Sequence, residues 1–255
     1  MGGAPSQWRP LPKSNENLNF VNSYQPQNKE ARSLRILLHG PVGAGKSSFI
    51  SSVDSVLQDR ISVRALSDTI GGKSFTQTYK TFHFHKDANH FYPFVMTDIM
   101  GLEKNASNGV CLEDLKLALK GHVKEGYKFI PGQQISEGDP SYNSSPTLND
   151  RVHVLVSVFP AGSASLISDE VVKKMREVRL AASEMGIPQL VILTKVDEAC
   201  PEVKKYLKNI YKSKYLKEQN YESELTTTED VDAPILCALR QMITFGEDFL
   251  NDLNS

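Results

Sequence analysis

Residues 40–47 have the types and the spacing needed to hold a phosphate group. They read G-P-V-G-A-G-K-S and match the pattern G-x-x-x-x-G-K-[ST] at every position. The glycines allow a turn that directs backbone N–H groups at phosphate oxygens, and a helix starting near Lys46 adds the positive end of its dipole. We expect Lys46 to reach the β- and γ-phosphates of a nucleotide and Ser47 to ligate Mg²⁺. The residues predicted to contact the nucleotide in this segment are Gly40, Pro41, Val42, Gly43, Ala44, Gly45, Lys46, Ser47 and Ser48.

A second motif, D-I-M-G at residues 98–101, ends an apolar stretch that has the pattern of a strand. A carboxylate at the end of a strand beside a phosphate loop can hold Mg²⁺, and we assign this role to Asp98. Gly101 can bring its backbone N–H to a γ-phosphate because no side chain blocks the approach. Leu102 follows, where many switch GTPases carry the glutamine that orients the attacking water. Leucine cannot do this, so we expect slow hydrolysis unless other groups or a second molecule position the water.

A third motif, T-K-V-D at residues 194–197, indicates the base. The Asp197 carboxylate can accept hydrogen bonds from N1–H and N2–H₂ of guanine together, whereas adenine offers no such pair of donors. The Lys195 stem can lie along the purine face. Thr194 replaces the asparagine of the commoner N-K-x-D motif, and we expect it to lose part of the support that an amide provides. We therefore predict GTP or GDP with Mg²⁺ as the ligand; Asp197 argues against the alternative of an ATP-using kinase or ATPase.

A further Mg²⁺ ligand is expected in the polar loop at residues 68–78. Switch GTPases keep a threonine there whose hydroxyl binds the metal. Thr76 is our first assignment, as a metal ligand and, with Lys46, as a catalytic residue; Thr78 is the second. His83 and His85 share one strand face and could be imagined as metal ligands, but without a third ligand a solvated strand face is favoured.

These motifs follow elements that can be read from hydrophobic periodicity. Strands are predicted at residues 34–38, 79–85, 91–97, 151–159 and 189–193. Helices are predicted at residues 15–24, 48–57, 111–123, 169–185 with Ser168 as the cap, 200–220, and from Ile235 onward. Strands and helices in this order predict a Ras-like α/β P-loop fold, with a mostly parallel sheet and helices on both faces.

The predicted domain organisation is a polar amino-terminal arm at residues 1–33 and a G domain at residues 34–255. Residues 124–150 read as a loop insertion and residues 221–233 as an acidic connection. A doubly wound nucleotide domain should have another buried strand after the guanine motif, but residues 197–234 contain no apolar, β-branched run. We favour a deletion after Lys217. The alternative is a very short strand at residues 234–238.

Composition excludes several classes of protein. The chain has 255 residues and a formal net charge of −1, which gives no electrostatic footprint for nucleic acid. Its apolar runs are too short to span a bilayer, and no signal-peptide core is present. Three scattered cysteines suit a reducing cytosol, so we expect a cytoplasmic protein. Gly2 fits an N-myristoylation pattern, but such small polar residues are common at amino termini and we favour no modification.

With these residues placed, the chain resembles the interferon-induced protein 44 and 44-like family, which are large-GTPase-like P-loop proteins. The resemblance covers nearly the whole chain and includes the following segments: Trp8-Arg9, the phosphate loop, T-D-I-M-G-L-E at 97–103, L-K-G-H-V at 119–123, Ile187-Pro188, T-K-V-D-E at 194–198 and A-L-R-Q-M at 238–242. Larger members carry a separate amino-terminal domain, so the resemblance implies something close to a bare G domain here. It also implies an interferon-induced, cytoplasmic, GTP-binding protein of antiviral or antiproliferative character.

Two functional interpretations remain open. The first is a switch-type guanine-nucleotide-binding protein with slow GTP hydrolysis. The second is a G-domain scaffold that hydrolyses nothing and acts as a protein-interaction module, which Leu102 and the absent strand favour. The sequence identifies no protein partner for either.

Overall fold

The computed structural model describes residues 14–62, 65, 78–103, 110–130, 132–162, 167–205, 209 and 229–253. Its centre is a five-stranded sheet in the order β2-β3-β1-β4-β5. The strands are β1 (Leu34–His39), β2 (Lys80–His85), β3 (Phe91–Asp98), β4 (Val154–Pro160) and β5 (Gln189–Thr194). All neighbouring pairs are parallel except β2 and β3, which are antiparallel.

Seven helices are present in the described part of the chain. They are α1 (Ser14–Ser23), α2 (Lys46–Gln58), α3 (Leu112–Leu119), α4 (Asp169–Glu184), α5 (Val196–Ala199), α6 (Pro201–Lys205) and α7 (Glu229–Asp252). The Ser168 side chain caps α4 by accepting a hydrogen bond from the Val171 N–H, as predicted. Most of the helix predicted at residues 200–220 lies outside the described residues.

The central strand β1 is buried on both faces, which is why its sequence is almost continuously apolar. Leu34, Ile36 and Leu38 belong to a core that also contains residues of α2 and α7. Leu37 points into a second core, formed with residues of α3 and α4. The sheet therefore separates two helical layers. With an antiparallel edge strand and a glycine loop directly after β1, this arrangement confirms the predicted Ras-like α/β fold.

The first helix and the residues that follow it contact the last helix through polar groups. The Tyr24 hydroxyl donates to Glu247 at 2.8 Å, and the Asn28 side chain donates to the Leu250 carbonyl at 2.9 Å. The Arg240 guanidinium lies 4.9 Å from the centre of the Phe20 ring. From Ser14 onward, the segment predicted as an arm thus lies against the sheet-bearing body.

The start of the last helix differs from the prediction. The helix begins at Glu229 and continues through Pro234, so the alternative of a short strand at residues 234–238 is wrong. Burial explains the outcome, because Ile235, Leu236 and Leu239 have the spacing of one helix face and are all buried in the core. The predicted deletion stays a prediction, since residues 206–208 and 210–228 lie outside the described residues.

Residues 124–150 cross the surface without forming a named helix or strand in their described part, but they are firmly anchored. The buried Asp114 carboxylate of α3 accepts hydrogen bonds from the Tyr127 hydroxyl and the Ile135 N–H, both at 2.9 Å. Tyr79, just before β2, exchanges two backbone hydrogen bonds of 2.8 Å with this segment. Burial raises the pKa of Asp114, although both hydrogen bonds act in the opposite direction.

Replacing Asp114 with alanine should lower the free energy of unfolding by about 2–4 kcal/mol, because it leaves the Tyr127 hydroxyl and the Ile135 N–H without their acceptor. Urea denaturation measures the loss. Glu113→Ala is the matched control, since among the described residues that exposed carboxylate pairs with Lys116 on the same helix, and its loss should stay within about 0.5 kcal/mol. Equal losses in the two variants would contradict the anchoring role of Asp114.

Candidate functional site

The predicted phosphate loop connects β1 to α2 and depends on glycine at its turns. Gly43 and Gly45 have φ angles of 73° and 93°, a region that side chains strongly disfavour. At Gly40 the restriction is spatial, because a Cβ atom there would lie 2.2 Å from the Val158 carbonyl oxygen of β4. The loop therefore runs directly over the end of the neighbouring strand.

Lys46 is the first residue of α2, and its side chain folds back into the loop. Its ammonium lies 3.4 Å from the Gly40 carbonyl and 3.3 Å from the Pro41 carbonyl. Burial lowers the pKa of Lys46, while the nearby Asp98 carboxylate acts against that shift. The predicted phosphate-binding cation is thus held by carbonyl oxygens that an anionic phosphate could replace.

The two predicted Mg²⁺ ligands of the described chain meet directly. The register that pairs Leu38 with Asp98 puts the Asp98 carboxylate beside the loop, where it accepts a hydrogen bond from the Ser47 hydroxyl. A hydroxyl and a carboxylate are the oxygen ligands that Mg²⁺ uses, and this ion takes few protein ligands when phosphates and water supply the rest. These residues fit the ion. Over the described residues, no cluster of three or more His, Cys, Asp or Glu side chains suggests another metal site.

The residues after Asp98 continue along the loop. The Leu102 N–H donates to the Gly40 carbonyl at 3.0 Å, and the Val42 N–H donates to the Leu102 carbonyl at 3.4 Å. Gly101 must lack a side chain, because a Cβ atom would lie 2.6 Å from a methyl carbon of Val42. The Leu102 side chain is only 2% exposed and belongs to the core between the sheet, α3 and α4.

The third motif reaches the loop from β5. The Thr194 hydroxyl lies 2.5 Å from the Ala44 carbonyl and 3.1 Å from the Phe159 carbonyl. A hydroxyl has one hydrogen, so it donates to one acceptor at a time. The expected loss of support at this position is therefore partly offset, since the threonine still bonds the phosphate loop. Lys195 follows with a φ angle of 53°, and Asp197 lies in the short helix α5.

The predictions made for residues 76–85 have different outcomes. Thr76, the first choice of switch threonine, lies outside the described residues. Thr78 forms an isolated bridge with Lys128, on the anchored surface segment. His83 and His85 surround the exposed Phe91 ring, with ring centres 5.8 Å and 4.2 Å from it, which agrees with a solvated strand face.

Sequence reasoning missed one buried and one partly buried polar contact around the site. His39, immediately before the loop, shares a 2.7 Å hydrogen bond with the Ser157 hydroxyl of β4. The Lys174 ammonium of α4 donates to the Glu103 carbonyl at 2.6 Å. The polar Ser157 within an apolar strand was a usable signal for the first contact. The second contact joins residues 71 positions apart, and no local sequence pattern predicts it.

Fold and loop together define this chain as an α/β P-loop domain of the nucleotide-binding type. Comparison with known proteins then gives the family. The chain is 32% identical over 257 residues to interferon-induced protein 44 of Homo sapiens, covering 92% of this chain and 57% of that protein. It is also 32% identical over 256 residues to human interferon-induced protein 44-like, covering 91% and 56%. The chain belongs to the interferon-induced protein 44 and 44-like family.

The chain spans only 57% of the human protein 44 and 60% of its Mus musculus counterpart. No protein-family model matches it. Among solved structures, the signal recognition particle receptor SRb-GTP/SRX complex from Chaetomium thermophilum aligns with a TM-score of 0.35 and 14% identity, over 83% of this chain and 89% of that one. This likeness is too low to add to the fold assignment. In the described chain, every helix is too short or too polar to cross a membrane.

Two buried histidines should make stability depend on pH. Burial lowers the pKa of His39 to about 3 and that of His153 to about 4. The unfolded chain binds protons near pH 6.5 while the folded chain does not, so stability falls as the pH drops below that value. Each histidine contributes up to about 1.4 kcal/mol per pH unit.

His39→Gln should therefore reduce the slope of unfolding free energy against pH by up to about 1.4 kcal/mol per unit between roughly pH 6 and pH 4. Urea denaturation over a series of pH values measures this slope. His90→Gln serves as the control, because His90 is exposed and, among the described residues, its side chain bonds only to the nearby Asp87. An unchanged slope in His39→Gln would contradict the conclusion that the His39 side chain is buried in its neutral form.

Proposed function

We propose that this chain binds GTP or GDP together with Mg²⁺ and changes the conformation of the loops around the γ-phosphate. The observation that carries the proposal is the convergence of three separate motifs on one phosphate loop. Lys46 lies inside the loop, Asp98 bonds Ser47 at its end, and Thr194 bonds the Ala44 carbonyl. A chance glycine turn would not bring the ends of β3 and β5 to the same backbone.

Phosphate binding rests on the loop and on the start of α2. Backbone N–H groups at the first turn of α2 and the helix dipole favour an anion. The Lys46 ammonium would exchange its contacts with the Gly40 and Pro41 carbonyls for phosphate oxygens. Because it is only 7% exposed, its attraction for a phosphate is weakly screened.

The guanine assignment rests on Lys195 and Asp197. The Asp197 carboxylate would accept hydrogen bonds from N1–H and N2–H₂ of guanine, and the Lys195 stem would lie along the ring. The positive φ of Lys195 supports this role, since side chains at such angles are uncommon and concentrate at functional sites. Thr194 keeps this segment attached to the phosphate loop, so base and phosphate contacts would be made by one rigid frame.

Ser47 and Asp98 would hold Mg²⁺, with Thr76 as the proposed switch ligand. The ion would neutralise charge on the β- and γ-phosphates. To admit it, the hydrogen bond between the Ser47 hydroxyl and the Asp98 carboxylate must open. The two oxygens then face the metal, while β3 and α2 keep their positions.

Hydrolysis of GTP is proposed to be slow. Leu102 stands where a water-orienting glutamine would act, and its side chain is buried in the core. It can neither bond a water nor reach one without leaving the core. The same observation favours the second candidate, an interaction module that binds nucleotide without turnover. On either proposal the protein belongs to an interferon response, as the names of its relatives suggest. A cytoplasmic location and an antiviral role are proposed from the family resemblance.

Fluorescent GTP and ATP analogues provide the first test of nucleotide binding. We expect the chain to bind GTP with at least tenfold preference over ATP, and Lys46→Ala to weaken GTP binding at least tenfold. Lys173→Ala, an exposed lysine outside the loop, should leave binding unchanged. Preference for ATP would contradict the guanine assignment. If neither analogue binds, only the interpretation as a protein-interaction scaffold remains.

Exchanging the acceptor on the base gives a sharper test. Asp197→Asn replaces a carboxylate oxygen with an amide donor, which suits the C2 carbonyl of xanthine better than the N2 amine of guanine. The variant should lose about tenfold or more in GDP affinity and gain a similar factor for XDP, both measured by competition. A parallel loss for both nucleotides would contradict direct contact between Asp197 and the base.

Phosphate release distinguishes the two functional candidates. We expect a rate below about 10⁻² per second, which lies in the range of unassisted switch GTPases. Release must also disappear in Lys46→Ala purified in the same way. Equal release from both preparations would indicate a contaminant and support the non-hydrolysing module.

A further inference from the structure

Residues 101–103 are held on the phosphate loop by contacts from three directions. On one side, the Leu102 backbone pairs with Gly40 and Val42 through hydrogen bonds of 3.0 Å and 3.4 Å. Beneath, the Leu102 side chain is buried in the core with residues of α3 and α4. On the far side, the Lys174 ammonium of α4 donates to the Glu103 carbonyl at 2.6 Å. We call residues 101–103 the latch.

The closed latch conflicts with a γ-phosphate in particular. Gly101 lies so close to Val42 that a single Cβ atom would come within 2.6–2.9 Å of its Cγ2, Cα and N atoms. A phosphoryl group is larger than a methyl group and cannot lie between them. In addition, the Val42 N–H already donates to the Leu102 carbonyl. The latch contacts fall in the first half of the loop and do not include Gly43, Gly45 or Lys46, so a diphosphate can still bind at the start of α2.

We propose that Lys174 is a positioning residue that keeps the latch closed, so that the chain selects nucleoside diphosphate over triphosphate until α4 releases Glu103. This inference rests on the proposed function. A triphosphate binds only molecules whose latch is open, so its apparent affinity falls by the open fraction, while diphosphate affinity does not change. Lys174 thus links the nucleotide site to α4.

Replacing Lys174 should shift the equilibrium between the closed and the open latch, because of the chemistry of its contact. Its donor is charged, its acceptor is a backbone carbonyl, and both lie in a partly buried position. Hydrogen bonds to charged groups are stronger than neutral ones, and losing one should shift the opening equilibrium roughly tenfold. The preceding residue on the same helix, Lys173, is exposed, and no hydrogen bond joins it to the latch among the described residues. It offers a matched control of the same charge.

Nucleotide selectivity tests the proposal. Affinities for GDP and a non-hydrolysable GTP analogue are measured for wild type, Lys174→Met, Lys174→Arg and Lys173→Met. In Lys174→Met the triphosphate-to-diphosphate affinity ratio should rise roughly tenfold, with GDP affinity unchanged. Lys174→Arg should restore most of the wild-type ratio, and Lys173→Met should match wild type. An unchanged ratio in Lys174→Met, or an equal change for both nucleotides, would overturn the role of Lys174.

Amide hydrogen exchange of Leu102 in the nucleotide-free chain tests the latch without relying on nucleotide binding. Its N–H should be protected in wild type and exchange roughly tenfold faster in Lys174→Met, but not in Lys173→Met. Equal exchange in the three proteins would overturn the latch even if nucleotides bind. Failure of wild type to bind either nucleotide would instead overturn the proposed function, so the two failures are distinguishable.

Discussion

The close approach of Gly40 to β4 is the constraint on which the site depends. The chain leaves β1 so near the Val158 carbonyl that any side chain at this position would overlap it. Because β1 pairs with β3 on one side and β4 on the other, the loop emerges at the middle of the sheet edge. Strand register then brings the site residues at the ends of β3 and β5 to the loop. Asp98 arrives because it pairs with Leu38, and Thr194 arrives because it pairs with Pro160 at the end of β4.

The Gly40 carbonyl also connects the parts of the site to one another. It accepts both the Leu102 N–H and the Lys46 ammonium. A phosphate that draws the Lys46 ammonium away therefore removes one hydrogen-bond donor from the Gly40 carbonyl oxygen, which also accepts the Leu102 N–H. A carbonyl has two lone pairs, so the contacts coexist without nucleotide, but they need not respond to it independently. The Gly40 carbonyl is thus shared by the predicted phosphate-binding cation and by residues 101–103.

Local pattern was enough to predict the strands, the three motifs and the capped helix α4. Their information lies within a few neighbouring residues, as in the apolar run of β1 followed at once by the glycine loop. The predictions failed or fell short where distant residues decide the outcome. Pro234 looked like a boundary, but burial of Ile235 and Leu239 against the sheet makes it part of a helix. The surface segment after residue 124 lacks periodicity, and its order comes from the distant Asp114 carboxylate.

The same distinction between local pattern and distant contacts applies to the site residues. Residues in sequence motifs were predictable because their roles require particular chemistry at fixed spacing. Lys174 was not, because it acts through a partner that only the fold brings near. For His39 the sequence offered one signal, the polar Ser157 within an apolar strand.

Two departures from the common G-domain pattern have different physical consequences. Threonine at position 194 keeps a hydrogen bond to the Ala44 carbonyl, so the loop retains its support although an amide is replaced by a shorter hydroxyl. Leucine at position 102 adds something that a glutamine would not, since its side chain gains about 2 kcal/mol from burial in an apolar core. That burial opposes any movement of residues 101–103 out of the closed position. The same substitution therefore removes a group that could orient water and strengthens the arrangement in which no γ-phosphate is bound.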